Sequence, residues 1–306
     1  MIDIDEYHPD DYKLRDMEAA KKEVDGIVDI ILTPTEKVTL ETRTEISKKT
    51  VRNFRDHINK GFLDYRKSVT EATGFAVTEW TGKGSILVDA LDREFLDLLG
   101  GFGLYSYGIR HPKIVAAVKS QLDRSPQYSQ EMLDPLRAQL AKVLALLTPG
   151  KIQYGFFANS GTEAVEGAMK LAKLYTGKKG FISMLKGFHG KTLGSLSLMG
   201  KNVFRKPLLP LLEGMRQAPF GNLKALEQEL ASARAVGDDI AAVVLEPVQG
   251  EAGAIVPPDE YLPGVRQLCD HYGVLLIADE VQTGFGRTGE IFGVDHWDVK
   301  PDIMCF

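Results

Sequence analysis

Cysteine is nearly absent from this chain: Cys269 and Cys305 are the two among 306 residues, both in apolar surroundings and without a Cys-x-x-Cys spacing. With no secretory leader either, there is no basis for a disulfide framework, and a reduced cytoplasmic protein is the expectation. No apolar run approaches ~18 residues, so no membrane-spanning helix is expected. Basic residues do not dominate. The 37 Lys and Arg face 42 Asp and Glu, for a net charge of −5, which argues against a general nucleic-acid binder. No internal repeat or low-complexity tract is present, and the thirty glycines are spread without a period.

What is present suits a large core with a smaller lobe: 44% of the residues are hydrophobic. Residues 1–38 are a polar extension, with 1–15 read as a tail or amphipathic arm. Residues 39–99 combine a surface helix, from about Leu40 to Lys60, with a small antiparallel part. Its strands are expected at Ala76–Trp80 and Ser85–Asp89, joined by a Thr81–Gly84 turn. Gly100–Gly103 reads as a hinge-like loop, and Pro112 favours the first turn of a helix. Residues 100–306 then alternate helix and strand. Helices are expected at Ile114–Leu122, Leu133–Leu147, Thr162–Tyr175, Leu223–Ser232 and Leu262–His271. Strands are expected at Tyr154–Phe157, Phe181–Leu185, Ile240–Leu245, Val274–Ala278 and, as one more inner strand, Pro301–Phe306. Apolar runs such as Ile240–Leu245 belong to parallel sheets covered by helices on both faces, which makes the fold class α/β.

Several groups stand where such a fold places ligands. Ser160 and Glu163 match a capping box at a helix start, worth ~1 kcal/mol for the cap. The box leaves Gly161 and the second hydroxyl, Thr162, unexplained; a helix start with a glycine favours a phosphate. Phe188 follows a strand and either stacks on a flat ring or plugs the sheet edge. His189 reads as structural support rather than a proton shuttle, and no partner at ligand spacing points to a metal. Glu246 and Asp279 each follow an apolar strand. Glu246 is either a site acid or an exposed loop acid. Asp279 requires a partner, because a buried carboxylate is costly unpaired. A pyridinium N–H would serve; an N-cap or ion pair is the other possibility.

Together, Asn159–Ala164, Gly187–Gly190, Leu245–Glu251 and Ala278–Gly289 resemble a class III, fold-type I aminotransferase, over about residues 40–306. Gly61–Val69 and Gly100–Gly103 most resemble its putrescine-specific subfamily. The resemblance implies a mostly parallel central sheet, part of a small N-terminal lobe, a C-terminal lobe, pyridoxal 5′-phosphate and a homodimer. It implies that Gly161 and Thr162 hold the phosphate and that Phe188 and Val281 cover the two faces of the ring. Asp279 would pair with the ring nitrogen and serve catalysis, Gln282 would bind the 3-hydroxyl, and Glu246 would order the acidic side. Glu251 resembles a glutamate that neutralises a substrate-binding arginine, here with no visible partner.

In that family the strand like Pro301–Phe306 runs on into Ala-Lys, and this lysine forms the Schiff base. The sequence stops two residues before it, so the 306-residue chain is expected to lack that lysine and the C-terminal lobe and to turn over negligibly. The implied reaction moves the amino group of putrescine or a related diamine to 2-oxoglutarate. Ornithine, acetylornithine or 4-aminobutyrate are alternative donors, and a catalytically dead remnant is the alternative of another class.

Overall fold

The computed structural model describes residues 16–59, 61, 63, 69–70, 75–125 and 131–306. The described residues up to Gly100, with Tyr107–Arg124, form one compact unit; Gly101–Ser106 and the described residues from Ser125 to Phe306 form another. The expected tail at 1–15 and most of Gly61–Lys67 lie outside the described residues.

The first unit opens with α1 (Met17–Leu32), capped by the Asp16 carboxylate on the Ala19 N–H, and α2 (Leu40–Asn53), capped by Thr39 on the Thr42 N–H. Each cap satisfies one of the donors that a helix start leaves unpaired. α1 buries none of its residues, whereas α2 buries Ser47 and Val51 and runs on into a π-helical turn, Phe54–Asn59. A three-stranded antiparallel sheet follows: β1 (Glu79–Lys83), β2 (Ile86–Asp89) and β3 (Glu94–Leu96). The expected Thr81–Gly84 turn is displaced. Gly82 pairs with Leu87 inside the hairpin, and Lys83 pairs with Ile86, leaving Gly84 and Ser85 as the turn. A Cβ on Gly82 would stand 2.8 Å from the Ile86 carbonyl oxygen and 2.9 Å from Ile109 Cγ2. The glycine marks a close approach within the sheet, and not the reversal itself. β3 escaped the sequence because its turn is built by Asp89. That buried carboxylate accepts from the N–H groups of Leu91 and Arg93, both at 2.9 Å, and from Arg93 Nε at 2.7 Å. Helix α3 (Pro112–Arg124) begins at its proline, as expected.

The second unit is built on a five-stranded parallel sheet. Its helices are α4 (Pro135–Leu147), α5 (Gly161–Thr176), α6 (Leu193–Leu198), α7 (Leu223–Val236) and α8 (Tyr261–Tyr272). Its strands are β4 (Gly180–Met184), β5 (Met215–Ala218), β6 (Ile240–Leu245), β7 (Leu275–Asp279) and β8 (Ile303–Cys305), in the order β8-β7-β6-β4-β5. All residues of β4 and β6 are buried. Their alternation sorts the core into two layers. Ile182, Met184, Val243, Leu245 and Leu276 face α7 and α8 through Leu226, Leu230, Leu262 and Val265. Phe181, Ala242, Val244 and Ile277 face α5 through Val165, Ala168, Met169 and Ala172. Each of the Val, Leu, Ile, Phe and Met side chains contributes ~1.5–3 kcal/mol on full burial.

One expectation changes here, and one strand was not expected. Tyr154–Phe157 is no strand. Among the described residues it has no strand partner, and Tyr154 and Phe156 are 91% and 82% exposed. The aromatic run has strand propensity but no ladder to join. Residues 303–305 do pair in the sheet, in parallel with β7, with Ile303 opposite Ile277 and Cys305 opposite Asp279. β5 carries Arg216 and Gln217, a composition that conceals it from apolar patterning.

Candidate functional site

The loops after β4, β6 and β7, with the start of α5, carry every residue of the site within the second unit. These loops lie at the carboxyl ends of parallel strands, where such sheets gather ligands. β7 ends on Asp279, 4% exposed. Its Oδ2 lies 2.8 Å from Nδ1 of the buried His189, and its Oδ1 accepts from the Val281 N–H at 3.2 Å. Burial pushes the imidazole toward neutrality, but the bond to Asp279 and the nearby carboxylates of Asp279 and Glu246 outweigh it and raise the His189 pKa. Nε2 of His189 is buried without a partner among the described residues. His189 thus buttresses Asp279, as expected of structural support. Among the described residues no group of three His, Cys, Asp or Glu side chains is arranged to hold a metal ion.

Glu246 is a buried tie between two loops and not an exposed loop acid. Its Oε1 accepts from the Phe188 N–H at 2.9 Å and its Oε2 from the Gly250 N–H at 3.0 Å. Burial raises its carboxyl pKa, against the opposing effects of His189 and the two N–H donors. Gln249 extends the tie, donating to the Leu185 carbonyl at 3.0 Å. Gln282 presses on the same turn: a Cβ on Gly250 would stand 1.4 Å from Gln282 Oε1.

Ser160 caps α5, accepting from the Glu163 N–H at 3.3 Å, while Glu163 accepts from the Asn159 N–H at 2.7 Å. The expected box therefore closes one residue further out. The Gly161 and Thr162 N–H groups have no acceptor among the described residues. A Cβ on Gly161 would lie 2.8 Å from Val281 Cγ1, so these two residues sit side by side, and Val281 is 47% exposed. The Thr162 hydroxyl points the other way, to Thr192 Oγ1 at 2.8 Å and Ser195 Oγ at 2.6 Å. Phe188 is half-buried, edge-on to Phe204 with centroids 6.1 Å apart, and Lys191 Nζ stands 5.8 Å from its centroid.

Glu251 does have a partner. Lys201 Nζ lies 3.2 Å from its Oε2 and donates to its backbone carbonyl at 2.6 Å. The pair escaped notice because fifty residues separate its members. Glu280 was also missed. It is buried, accepts from the Gly293 and Val294 N–H groups at 2.8 Å each and from the Thr283 hydroxyl, and its pKa is raised by burial. It fixes the segment after the site. Glu166, four residues after Thr162 and so on the same helix face, carried a spacing signal that would have found it.

The site offers two N–H groups at a helix start without an acceptor among the described residues, a buried carboxylate paired with His189, and apolar side chains from two loops. This suits a flat ring carrying an anionic group and a nitrogen able to donate. Residues 67–306 match the family model Aminotransferase class-III. The chain belongs to that family. Among solved structures it is similar to a transaminase from the marine bacterium Virgibacillus, with 28% identity over 85% of this chain and a TM-score of 0.75. An amine transaminase from an uncultivated Pseudomonas species, in a PLP-bound form, is 30% identical over 78% of this chain, with a TM-score of 0.69. The taurine:2-oxoglutarate aminotransferase of Bifidobacterium kashiwanohense, in complex with PLP and glutamate, is 27% identical over 84%, with a TM-score of 0.73. The chain spans 60% of the length of each of the three. The fold they share with it is the α/β fold expected, a parallel sheet flanked by helices. Among the described residues, no helix is long and apolar enough to cross a membrane.

Proposed function

We propose that this chain holds pyridoxal 5′-phosphate and forms the cofactor-holding part of an aminotransferase that takes the amino group of putrescine or a related diamine to 2-oxoglutarate. The residues fit the group. Gly161 lies too close to Val281 to carry a Cβ, so its backbone is open to a ligand, and the Gly161 and Thr162 N–H groups, without an acceptor among the described residues, would form an anion seat. When bound, the cofactor supplies the electrophilic carbonyl and the electron sink that amino-group transfer needs.

The chain's own residues then have distinct tasks. Asp279 would hold a proton on the ring nitrogen, and His189, 2.8 Å from it, would keep the carboxylate aimed. Phe188 and Val281 cover the two ring faces and keep water off them. Gln282 orients the 3-hydroxyl, and Glu246 fixes the loops that bear Phe188 and Gly250. Glu251, tied to Lys201, would meet the substrate. The observation that carries this reading is the buried Asp279–His189 pair at the end of β7. The support for putrescine is the motif at Gly100–Gly103 and that at Gly61–Val69, the latter largely outside the described residues. A homodimer and a cytoplasmic location complete the proposal.

The experiment is titration of the chain with pyridoxal 5′-phosphate, followed by absorbance, for wild type and Asp279→Asn. The variant is expected to bind at least about tenfold more weakly, as loss of a charge-assisted hydrogen bond implies, and to shift the bound spectrum. An unchanged affinity and spectrum would remove Asp279 from the ring. In the whole enzyme, parallel assays with putrescine, ornithine, acetylornithine and 4-aminobutyrate test the donor, and a preference for either of the last two would overturn putrescine.

A further inference from the structure

One aromatic beside the site has no task in the proposed contacts. Phe204 lies in the segment after α6, on the short helix Asn202–Arg205. Its ring meets the Phe188 ring edge-on, with centroids 6.1 Å apart and planes at 82°. Lys191 Nζ stands over both rings, 4.6 Å from the Phe204 centroid and 5.8 Å from that of Phe188. Both rings are half-buried.

The backbone brings Phe204 to this place. The Gly200 N–H donates to the Gly187 carbonyl at 3.1 Å, and the Gly200 carbonyl accepts from the Lys186 N–H at 3.0 Å. These two bonds fasten the segment to the residues just ahead of Phe188. The fit requires a glycine, because a Cβ on Gly200 would lie 2.3 Å from the Lys186 nitrogen and 2.4 Å from the Met184 carbonyl oxygen. Arg205 Nη1 donates to the Met199 carbonyl at 3.0 Å and closes the short helix back on the residue before Gly200. Phe188 itself is tied through its N–H, which donates to Glu246. That bond fixes the main chain but not the side-chain torsions. Edge-on packing of two rings is directional, so the contact with Phe204 supplies what the backbone bond lacks.

We propose that Phe204 is a positioning residue, which sets the plane in which Phe188 offers its ring without itself touching the cofactor. Lys191 holds the pair together, its ammonium attracted by both rings. The inference rests on the reading of Phe188 as a cover for the pyridoxal ring. It goes beyond that reading by giving the segment after α6 a part in the site.

The test is a double-mutant cycle on the full chain, read by absorbance titration with pyridoxal 5′-phosphate. Phe204→Leu keeps an apolar side chain but loses the edge-on contact. It is expected to weaken binding about two- to tenfold, the worth of one aromatic pair, and to shift the absorbance maximum of the bound form. Phe204→Tyr keeps the ring and is expected to bind within about twofold of wild type. In a Phe188→Leu chain, Phe204→Leu is expected to weaken binding no further, because the pair is already broken. Should Phe204→Leu not fold, Phe204→Met gives the same comparison, since it fills the space without a ring. Equal effects of the Phe204 change with and without Phe188 would overturn the inference. So would a Phe204→Leu chain that binds like wild type, or a Phe204→Tyr chain as weak as the leucine. A Phe188→Leu chain that binds like wild type would overturn the reading of Phe188, and the inference with it.

Discussion

Nδ1 of His189 lies 2.8 Å from Oδ2 of Asp279, with both side chains buried, so each supplies the partner that the other's burial demands. Burial disfavours the imidazolium and Asp279 favours it, and the second effect prevails, raising the folded pKa of His189. A raised pKa contributes stability that is fully present below the unfolded value, ~6.5, and is lost as pH rises through the folded value. His189→Asn keeps a donor near Asp279 but does not titrate. The stability of wild type relative to this variant is therefore expected to fall as pH rises above ~6.5 and through the raised folded value. Urea midpoints across that range check it, and a pH-independent difference would refute it.

Glu246 holds two N–H groups that have no other acceptor among the described residues, one on each loop. Glu246→Ala leaves both unsatisfied in a buried place, at a cost of about 1–3 kcal/mol each. Chemical denaturation is expected to show a loss of at least about 2 kcal/mol, together with faster amide exchange at Phe188 and Gly250. A loss below about 0.5 kcal/mol, within the range of ordinary surface substitutions, would mean that the loops do not depend on it.

Gly250 is a glycine because Gln282 Oε1 occupies the space beside its Cα. The obstructing atom is the tip of a flexible side chain, so Gly250→Ala is expected to displace Gln282 and leave stability within about 1 kcal/mol of wild type. Affinity for pyridoxal 5′-phosphate should fall about fivefold, the value of one neutral hydrogen bond. Thermal melts and absorbance titration separate the two effects. A large drop in melting temperature with unchanged affinity would contradict this account of the glycine.

Lys201 and Glu251 form an ion pair near the surface, with part of each side chain in water. Such pairs contribute about 0–1 kcal/mol, so Lys201→Ala should scarcely change stability. In the whole enzyme it is expected to alter the KM for the amine more than kcat, because the released Glu251 takes other positions. An unaltered KM would place Glu251 outside the substrate's reach.

The apolar runs of β4, β6 and β7 and the heptad-like face of α5 were legible in the sequence, because burial on both sides of a parallel sheet leaves little freedom of residue type. So were the acids at strand ends, since Glu246 and Asp279 stand where a strand hands over to a loop, and the glycine at the start of α5, Gly161. Other features depended on residues far apart in the chain. Whether Tyr154–Phe157 became a strand rested on a neighbour to pair with. His189 and Asp279 are ninety residues apart, and Thr162 and Thr192 thirty, so their contacts could not be read from spacing. By itself the sequence determined the α/β fold, the aminotransferase family and the kinds of group at the site. Only the tertiary structure decided their partners, because a hydrogen bond is set by distance and direction, and neither is encoded in the spacing of residues along the chain.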